Sequence, residues 1–255
     1  MTAPVWVGVS LKTYFGHARA LAWMDEVAAV VRETPAIASG AVRLVVVPTY
    51  VQIPAALEAF AGTGVVIGAQ DVSAHPAGAF TGEIAASELA EIGVSYAEIG
   101  HAERRRLFGE TDADTAAKAT AALAAGLTPL LCLGETERAD SDAAAATVVA
   151  QLHADLEGAP AGAVTVAYEP VWAIGAESPA SIPHIVRVTR ALREALDALP
   201  ARAGSAVVYG GSAGPGLLTD LDGAVDGLFL GRFAHDPAQL RRVLDEAATR
   251  AEVRA

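Results

Sequence analysis

Short apolar segments alternate with longer amphipathic segments along the whole chain, eight times in 255 residues. The apolar segments are mostly continuous runs, which is typical of parallel strands buried on both faces. They predict strands at residues 5–9, 43–47, 65–68, 96–99, 129–133, 165–168, 206–209 and 227–230. Helical patterns lie between them, at residues 18–33, 53–60, 84–92, 115–125, 142–157, 182–199 and 236–250, with a shorter one at residues 213–221.

This alternation constrains the fold. Eight strand–helix units in 255 residues predict an α/β fold, the (β/α)8 barrel, as a single domain over residues 1–255. A doubly wound open sheet is the alternative, but it would usually carry a glycine fingerprint after the first strand. The sequence there is Ser10-Leu11-Lys12-Thr13. No linker or low-complexity segment divides the chain, and its 53% hydrophobic content can supply one large core.

Charge and cysteine content exclude several classes of partner. The net charge is −12 and no basic stripe is present, which argues against nucleic acid. No apolar run reaches the roughly 18 residues of a membrane span, and the first residues lack the pattern of a secretory signal. Cys132 is the only cysteine, so an intrachain disulfide is impossible, as suits a reducing compartment. The sequence therefore predicts a cytoplasmic protein with no nucleic-acid or membrane partner.

Polar residues follow the predicted strands directly. They are Lys12, Gln70, His101, Glu103, Glu135, Glu169, Gly210-Gly211-Ser212 and Gly231-Arg232. Each has an ordinary structural explanation by itself, such as a solvated lysine, a helix-capping histidine or a loop acid. In a barrel, however, the carboxyl ends of all strands meet at one mouth. A cation, an imidazole and a carboxylate there suffice for proton transfer beside a carbonyl group.

The same mouth offers an anion site. The glycine-rich turns after the seventh and eighth strands expose backbone N–H groups, and a helix predicted to start at Ala213 would add a partial positive end. These features predict a phosphate site with little formal positive charge. No cluster of His and Cys has metal-ligand spacing, so neither a metal nor an organic cofactor is expected.

The chain resembles triosephosphate isomerases along nearly its whole length. The motifs that carry the resemblance are Gly68-Ala69-Gln70, Gly78-Ala79-Phe80-Thr81-Gly82-Glu83, Glu98-Ile99-Gly100-His101, Glu103-Arg104-Arg105, Cys132-Leu133-Gly134-Glu135, Ala167 to Gly175 and Tyr209-Gly210-Gly211-Ser212. The resemblance implies a TIM barrel in which Glu169 is the base, His101 the electrophile and Lys12 the electrostatic residue. It also implies a histidine kept neutral beside the glutamate base.

The resemblance implies further roles. Gly175, Ser212 and Gly231 would bind phosphate through backbone N–H groups, and Glu103 would orient Lys12. The loop over residues 71–81 would reach into a neighbouring subunit of a homodimer. The substrate would be a small phosphorylated sugar, with interconversion of dihydroxyacetone phosphate and glyceraldehyde 3-phosphate ranked first. That reaction would place the enzyme in glycolysis and gluconeogenesis.

Several positions depart from the pattern of the family. Ser10 stands in place of the usual asparagine, Glu177 and Pro179 alter the lid, and Arg232 replaces a glycine and adds a guanidinium suited to phosphate. Ala102 replaces the usual serine after the histidine. These changes leave the three catalytic candidates untouched. The pattern resembles the branch of the superfamily that isomerises four-carbon ketose phosphates such as erythrulose phosphate.

Two other functions are weighed against these isomerases. One is a non-catalytic barrel that binds a phosphorylated metabolite, although such barrels usually lose a catalytic group first. The other is a barrel lyase or aldolase, which would generally require a metal cluster or a Schiff-base lysine in a late strand. The sixth and seventh predicted strands contain no lysine. The fold alone does not decide among these functions.

Overall fold

Each of eight parallel strands pairs with the next along the chain, and the last pairs with the first, so the sheet closes into a barrel. The computed structural model describes residues 3–254. The strands are β1 Val5–Ser10, β2 Val42–Val47, β3 Val66–Ala69, β4 Tyr96–Ile99, β5 Thr128–Leu133, β6 Thr165–Tyr168, β7 Ala206–Tyr209 and β8 Gly227–Leu230. The predicted (β/α)8 barrel is confirmed, and the predicted strands lie within one residue of those observed.

Helices surround the barrel. In the described part of the chain they are α1 His17–Arg32, α2 Pro35–Ala38, α3 Ile53–Ala59, α4 Ala86–Glu91, α5 Ala102–Phe108, α6 Asp112–Ala124, α7 Ser141–Asp155, α8 Ile182–Asp197, α9 Leu217–Asp220 and α10 Pro237–Arg254. No helix in residues 3–254 has the length and apolar character that a membrane crossing requires. The extent of the single domain over residues 1–255 stays a prediction.

The prediction that a helix begins at Ala213 is wrong. Helix α9 begins at Leu217, after Gly216, which adopts a left-handed φ of 92°. Pro215 restricts Gly214 before it to extended backbone, and only a glycine takes the left-handed turn at low cost. Residues 213–216 therefore form a loop, and α9 begins four residues later than predicted.

Helices α2 and α5 were not predicted from the sequence. Helix α5 contains no buried residue, so it lacks the apolar stripe on which periodicity depends. It is defined by its ends instead, with His101 as the N-cap and Gly109 in a left-handed conformation after the last turn. Its N-terminus brings Glu103 to the mouth of the barrel.

Large apolar side chains fill the amino-terminal half of the barrel interior. Trp6 packs edge-on against Tyr96 and Phe229, with ring centroids 6.3 and 6.0 Å apart. Gly8 makes room for them, because a Cβ there would lie 2.8 Å from the Phe229 ring. Toward the carboxyl ends of the strands the interior becomes polar, with buried Ser10 and Glu98. The packing thus closes one end of the barrel and leaves the other for a site.

Candidate active site

Lys12 is held over the mouth by an unusual turn. Its φ of 44° is left-handed, a conformation that costs a non-glycine residue on the order of 1 kcal/mol. Gln70 stabilises the turn because its side-chain amide donates to the carbonyl oxygens of Lys12 and Val47, at 3.0 and 3.2 Å. The Lys12 Nζ donates to Glu103 Oε1 at 2.8 Å. Burial opposes the charge, but this hydrogen bond and the nearby carboxylates raise the pKa of Lys12, so the ammonium stays charged.

His101 presents a neutral imidazole to the same space. Its Nδ1 accepts the backbone N–H of Glu103 at 3.0 Å, which assigns the ring proton to Nε2. Burial, together with the charge of Lys12, lowers the pKa of His101 to about 4. The Nε2 lies 3.3 Å from Glu169 Oε2. His101 therefore caps helix α5 and also belongs to the site.

Glu169 is a buried carboxylate directly after β6. Its backbone N–H donates to Leu133 O at 2.8 Å, and Pro170 follows it. Burial raises the pKa of Glu169 to about 8, against the attraction of Lys12. Within residues 3–254, Glu169 Oε2 has no hydrogen-bond partner. A carboxylate in such a place is suited to accept a proton near neutral pH.

Two glycines, which have no side chain, provide the space that Glu169 occupies. A Cβ at Gly210 would lie 2.7 Å from the Cγ and 3.0 Å from the Cδ of Glu169. A Cβ at Gly134 would overlap the Glu169 carbonyl group, with its carbon only 2.6 Å away. Because any side chain at either position would displace the carboxylate or its backbone, the absence of side chains here sets the position of the base.

The segment over residues 170–180 covers the mouth and is anchored at both ends. Near its start, Trp172 Nε1 donates to Glu135 Oε1 at 2.8 Å, and Tyr168 also donates to Glu135 at 3.2 Å. At its end, the Ala180 N–H donates to the hydroxyl oxygen of Tyr209 at 3.0 Å. We call residues 170–180 the lid. Glu135, chosen from the sequence only as a polar residue after a strand, anchors this lid.

All nine site residues chosen from the sequence line one cavity of about 260 Å³. They are Ser10, Lys12, His101, Glu103, Glu169, Gly175, Ser212, Gly231 and Arg232. Ser212 adopts a left-handed φ of 54° and donates through Oγ to Ala173 O at 2.8 Å. Arg232 donates to Gly175 O at 3.2 Å, so it contacts the lid. Residues 213–216 form a loop instead of the expected helix N-terminus, and Gly231 and Arg232 lie at the start of a 3₁₀ helix, Arg232–His235.

Glu98 is a buried residue of the site to which the sequence assigned no role. It lies on β4 and is 3% exposed, and Ser10 Oγ donates to its Oε2 at 3.0 Å. Burial raises the pKa of Glu98 to about 7, while Lys12 and Ser10 oppose the shift. A charged residue inside the apolar run Tyr96-Ala97-Glu98-Ile99 was the available signal. Its inward direction follows only from the closed barrel.

The arrangement combines an ammonium, a neutral imidazole and a buried carboxylate around one small cavity. Such a set is suited to moving a proton between adjacent carbons beside a carbonyl group. Within residues 3–254, no group of three or more His, Cys, Asp and Glu side chains is placed to hold a metal ion.

Comparison with known proteins gives two enzyme names. The model of the family described as triosephosphate isomerase matches residues 5–247. The chain is 46% identical over 250 residues to the L-erythrulose-1-phosphate isomerase of Pectobacterium atrosepticum, covering 95% of each protein. It is 44% identical over 183 residues to the triosephosphate isomerase of Thermus thermophilus, covering 69% of this chain and 73% of that one. The crystal structure of triosephosphate isomerase from Bartonella henselae matches with a TM-score of 0.82 at 27% identity, over 98% of this chain and 100% of that one.

Proposed function

Because the chain belongs to the triosephosphate isomerase family, we propose that it isomerises a small phosphorylated sugar through an enediolate, with Glu169 as the base. The observation that carries the proposal is the meeting of three groups in one cavity. Lys12 is charged, His101 is neutral, and Glu169 is buried with a raised pKa. An isomerase that shifts a carbonyl by one carbon needs this combination.

The proposed reaction moves one proton between the two reacting carbons and one proton between their two oxygens. Glu169 removes a proton from the carbon next to the carbonyl, and the electron pair moves onto the carbonyl oxygen to form the enediolate. His101 gives its Nε2 proton to that oxygen and takes the proton of the neighbouring hydroxyl in return, so the negative charge moves to the second oxygen, and Lys12 stabilises the charge in both positions. Glu169 then returns the proton to the neighbouring carbon, and the lid excludes water, which discourages loss of phosphate.

A four-carbon ketose phosphate is the substrate that we favour. The relative named L-erythrulose-1-phosphate isomerase matches 95% of this chain, whereas the Thermus triosephosphate isomerase matches 69% of it. The short side chain of Ser10 also leaves room in the cavity for a larger sugar. The sequence alone ranked triose phosphate first, and the intact set of Lys12, His101 and Glu169 keeps it as the second candidate. A four-carbon substrate would place the reaction outside glycolysis and gluconeogenesis.

The phosphate of the substrate would bind among the loops after β6, β7 and β8. Gly175, Ser212 and Gly231 would offer backbone N–H groups, and Arg232 would add a charged hydrogen bond. Because Arg232 already donates to the Gly175 carbonyl oxygen at 3.2 Å, the same side chain would link phosphate binding to the position of the lid. The proposed chemistry requires no metal and no organic cofactor.

We extend the proposal to a cytoplasmic homodimer that pairs through the loop over residues 71–81. Asp71 at the start of this loop is bound by Lys118 and Arg104, at 2.7 and 2.9 Å, which fixes its base. Phe80 near its tip is exposed, and so is Phe108 of helix α5. Exposed aromatic side chains of this kind are typical of protein–protein contacts.

Hydrogen exchange with solvent tests the proposed chemistry. In D₂O we expect the wild-type protein to place deuterium on the carbon next to the carbonyl of erythrulose phosphate or dihydroxyacetone phosphate, because Glu169 exchanges its proton with solvent. Mass spectrometry of the recovered sugars measures this. The Glu169→Gln variant is the control and should incorporate deuterium about 10³- to 10⁴-fold more slowly. Tight binding of both sugars without exchange would support the phosphometabolite-binding barrel instead.

Substitution of Gly210 should damage catalysis without unfolding the barrel. In Gly210→Ala, the new methyl group would collide with the Glu169 carboxylate, as the distances to Cγ and Cδ of 2.7 and 3.0 Å show. A displacement of about 1 Å can cost roughly 100-fold in rate, so we expect kcat to fall by about 10- to 100-fold. Steady-state kinetics measure this. Gly16→Ala, at a position with an ordinary φ of −67° where a Cβ would meet nothing within 4 Å, controls for the added methyl group, and equal losses in both variants would contradict the steric explanation.

The pH dependence should follow the raised pKa of Glu169. Only the ionised carboxylate accepts a proton, so kcat/KM should decrease as the pH falls through the pKa of about 8. His101 has a pKa of about 4 and stays neutral through this range, and it adds no second decrease above that value. Rates measured from about pH 5 to about pH 9 test this. A kcat/KM that stays flat down to about pH 5, as an ordinary glutamate pKa of about 4.3 would give, would contradict the assignment.

A further inference from the structure

Glu98 is a buried carboxylate that the proposed proton transfers do not use. It is 3% exposed, and it lies behind the cavity wall, whereas Ser10 lines the cavity itself. Within residues 3–254, the Ser10 hydroxyl is the group that donates to it, at 3.0 Å. Burying a carboxylate costs free energy unless it has a partner. A carboxylate in this position, with a single serine between it and the cavity, therefore needs an explanation.

The Ser10–Glu98 pair crosses the barrel. Ser10 ends β1 and Glu98 lies on β4, three strands away around the sheet. The Ser10 side chain is thus turned toward β4 and away from β8, whose following loop carries Gly231 and Arg232. Although the backbone of β1 pairs with β8, with Val9 opposite Leu230, the Ser10 hydroxyl reaches across the barrel interior to Glu98. A group bound there belongs to the other end of the substrate.

The hydrogen bond to Glu98 determines whether the Ser10 hydroxyl can donate to the substrate or accept from it. A serine hydroxyl has one proton to donate and two lone pairs to accept with. Above the pKa of Glu98, which is about 7, the carboxylate is ionised and can only accept, so the Ser10 proton is committed to its Oε2. Ser10 therefore offers the cavity a hydrogen-bond acceptor, and that acceptor suits a hydroxyl group of the substrate better than it suits a carbonyl oxygen.

We propose that Glu98 is a positioning residue that fixes Ser10 as an acceptor, and that Ser10 binds the terminal hydroxyl of a four-carbon ketose phosphate. This inference rests on the proposed isomerase function and specifies its substrate class. A four-carbon sugar phosphate has a hydroxymethyl group beyond the two reacting carbons, at the end opposite to the phosphate. A three-carbon sugar phosphate has no carbon there. The pair would thereby favour the longer sugar.

Two single variants and their combination test the proposal. Ser10→Ala removes the acceptor, and Glu98→Leu releases the Ser10 hydroxyl while filling the barrel interior with an apolar group of similar length. Each should lower kcat/KM for L-erythrulose 1-phosphate by about 10- to 100-fold, mainly by raising KM, as expected for loss of one well-placed hydrogen bond. The value for dihydroxyacetone phosphate should fall by a smaller factor, so that the ratio of the two kcat/KM values drops by about tenfold or more.

The double variant separates positioning from general damage. Because Glu98 acts through Ser10, adding Glu98→Leu to Ser10→Ala should cause no further loss on the four-carbon substrate. Glu98→Gln keeps an acceptor oxygen for Ser10 and should retain most of the preference. Thr189→Val removes another buried hydroxyl, which bonds within helix α8, and should leave the ratio of the two kcat/KM values unchanged.

The outcomes are distinguishable. If the variants lower both kcat/KM values equally, or if the two losses simply add, Glu98 has only a structural role and the inference is wrong. If the wild-type protein isomerises triose phosphate alone, the inference is wrong but the isomerase function stands. If the wild-type protein isomerises neither sugar, the proposed function itself fails and the inference fails with it.

Discussion

Replacing Glu169 with glutamine is expected to lower kcat by about 10³- to 10⁴-fold, with KM changed by less than about threefold. Glutamine keeps the size of the side chain, so the cavity and its binding contacts should persist. It cannot accept the proton that the enediolate step requires. Steady-state kinetics with erythrulose phosphate and triose phosphate measure the effect, and circular dichroism shows whether the barrel is folded.

A matched control exists for this charge removal. Glu157 is exposed at the end of helix α7, so Glu157→Gln removes one carboxylate without touching the cavity and should leave kcat unchanged. Near-wild-type turnover by Glu169→Gln would eliminate Glu169 as the base. It would direct attention to Glu103, the other carboxylate that lines the cavity.

Replacing Lys12 with methionine is expected to lower kcat/KM by about 10²- to 10³-fold. Methionine matches the length of the aliphatic stem but carries no charge, so negative charge on the enediolate loses its stabilising partner. Glu103 also loses the ammonium that it contacts at 2.8 Å. The loss should appear in kcat as well as in KM, since the charge that Lys12 stabilises is largest in the transition state.

Lys12→Arg separates charge from geometry. The planar guanidinium cannot occupy the place of the compact ammonium in the left-handed turn, so we expect this variant to recover less than about a tenth of the lost activity. Arg241→Met removes an exposed cation that pairs with Glu33 on the helical surface, and it should behave as wild type. Full activity of Lys12→Met would contradict the role of Lys12.

The fold was largely predictable from the sequence because of the way its strands are buried. Continuous apolar runs such as Thr165–Tyr168 define strands covered on both faces, and the observed bounds agree with the predicted ones. Helix α5 was missed because none of its residues is buried and residues 103–106 are all charged. The start of α9 was wrong because Pro215 and Gly216 form a turn, which an apolar count cannot detect.

The site was predictable as a set of residues but not as a geometry. The rule that the strands of a barrel end at one mouth placed Lys12, His101 and Glu169 together before any distance was known. The family resemblance implied the neutral state of His101, but the raised pKa of Glu169 depends on its burial, which no sequence pattern gives. The partnership of Ser10 and Glu98 spans 88 positions in the chain. It becomes visible only when the barrel closes and turns both side chains inward.

The most direct test is a comparison of kcat/KM for L-erythrulose 1-phosphate, D-erythrulose 4-phosphate and glyceraldehyde 3-phosphate with one preparation of the protein. We expect an erythrulose phosphate to exceed the triose by at least about tenfold, as one additional hydrogen bond would provide. Turnover of the triose at about 10⁷–10⁸ M⁻¹s⁻¹ with little activity on either tetrulose would contradict the four-carbon assignment. Absence of turnover with all three sugars would contradict the isomerase function that Lys12, His101 and Glu169 are proposed to perform.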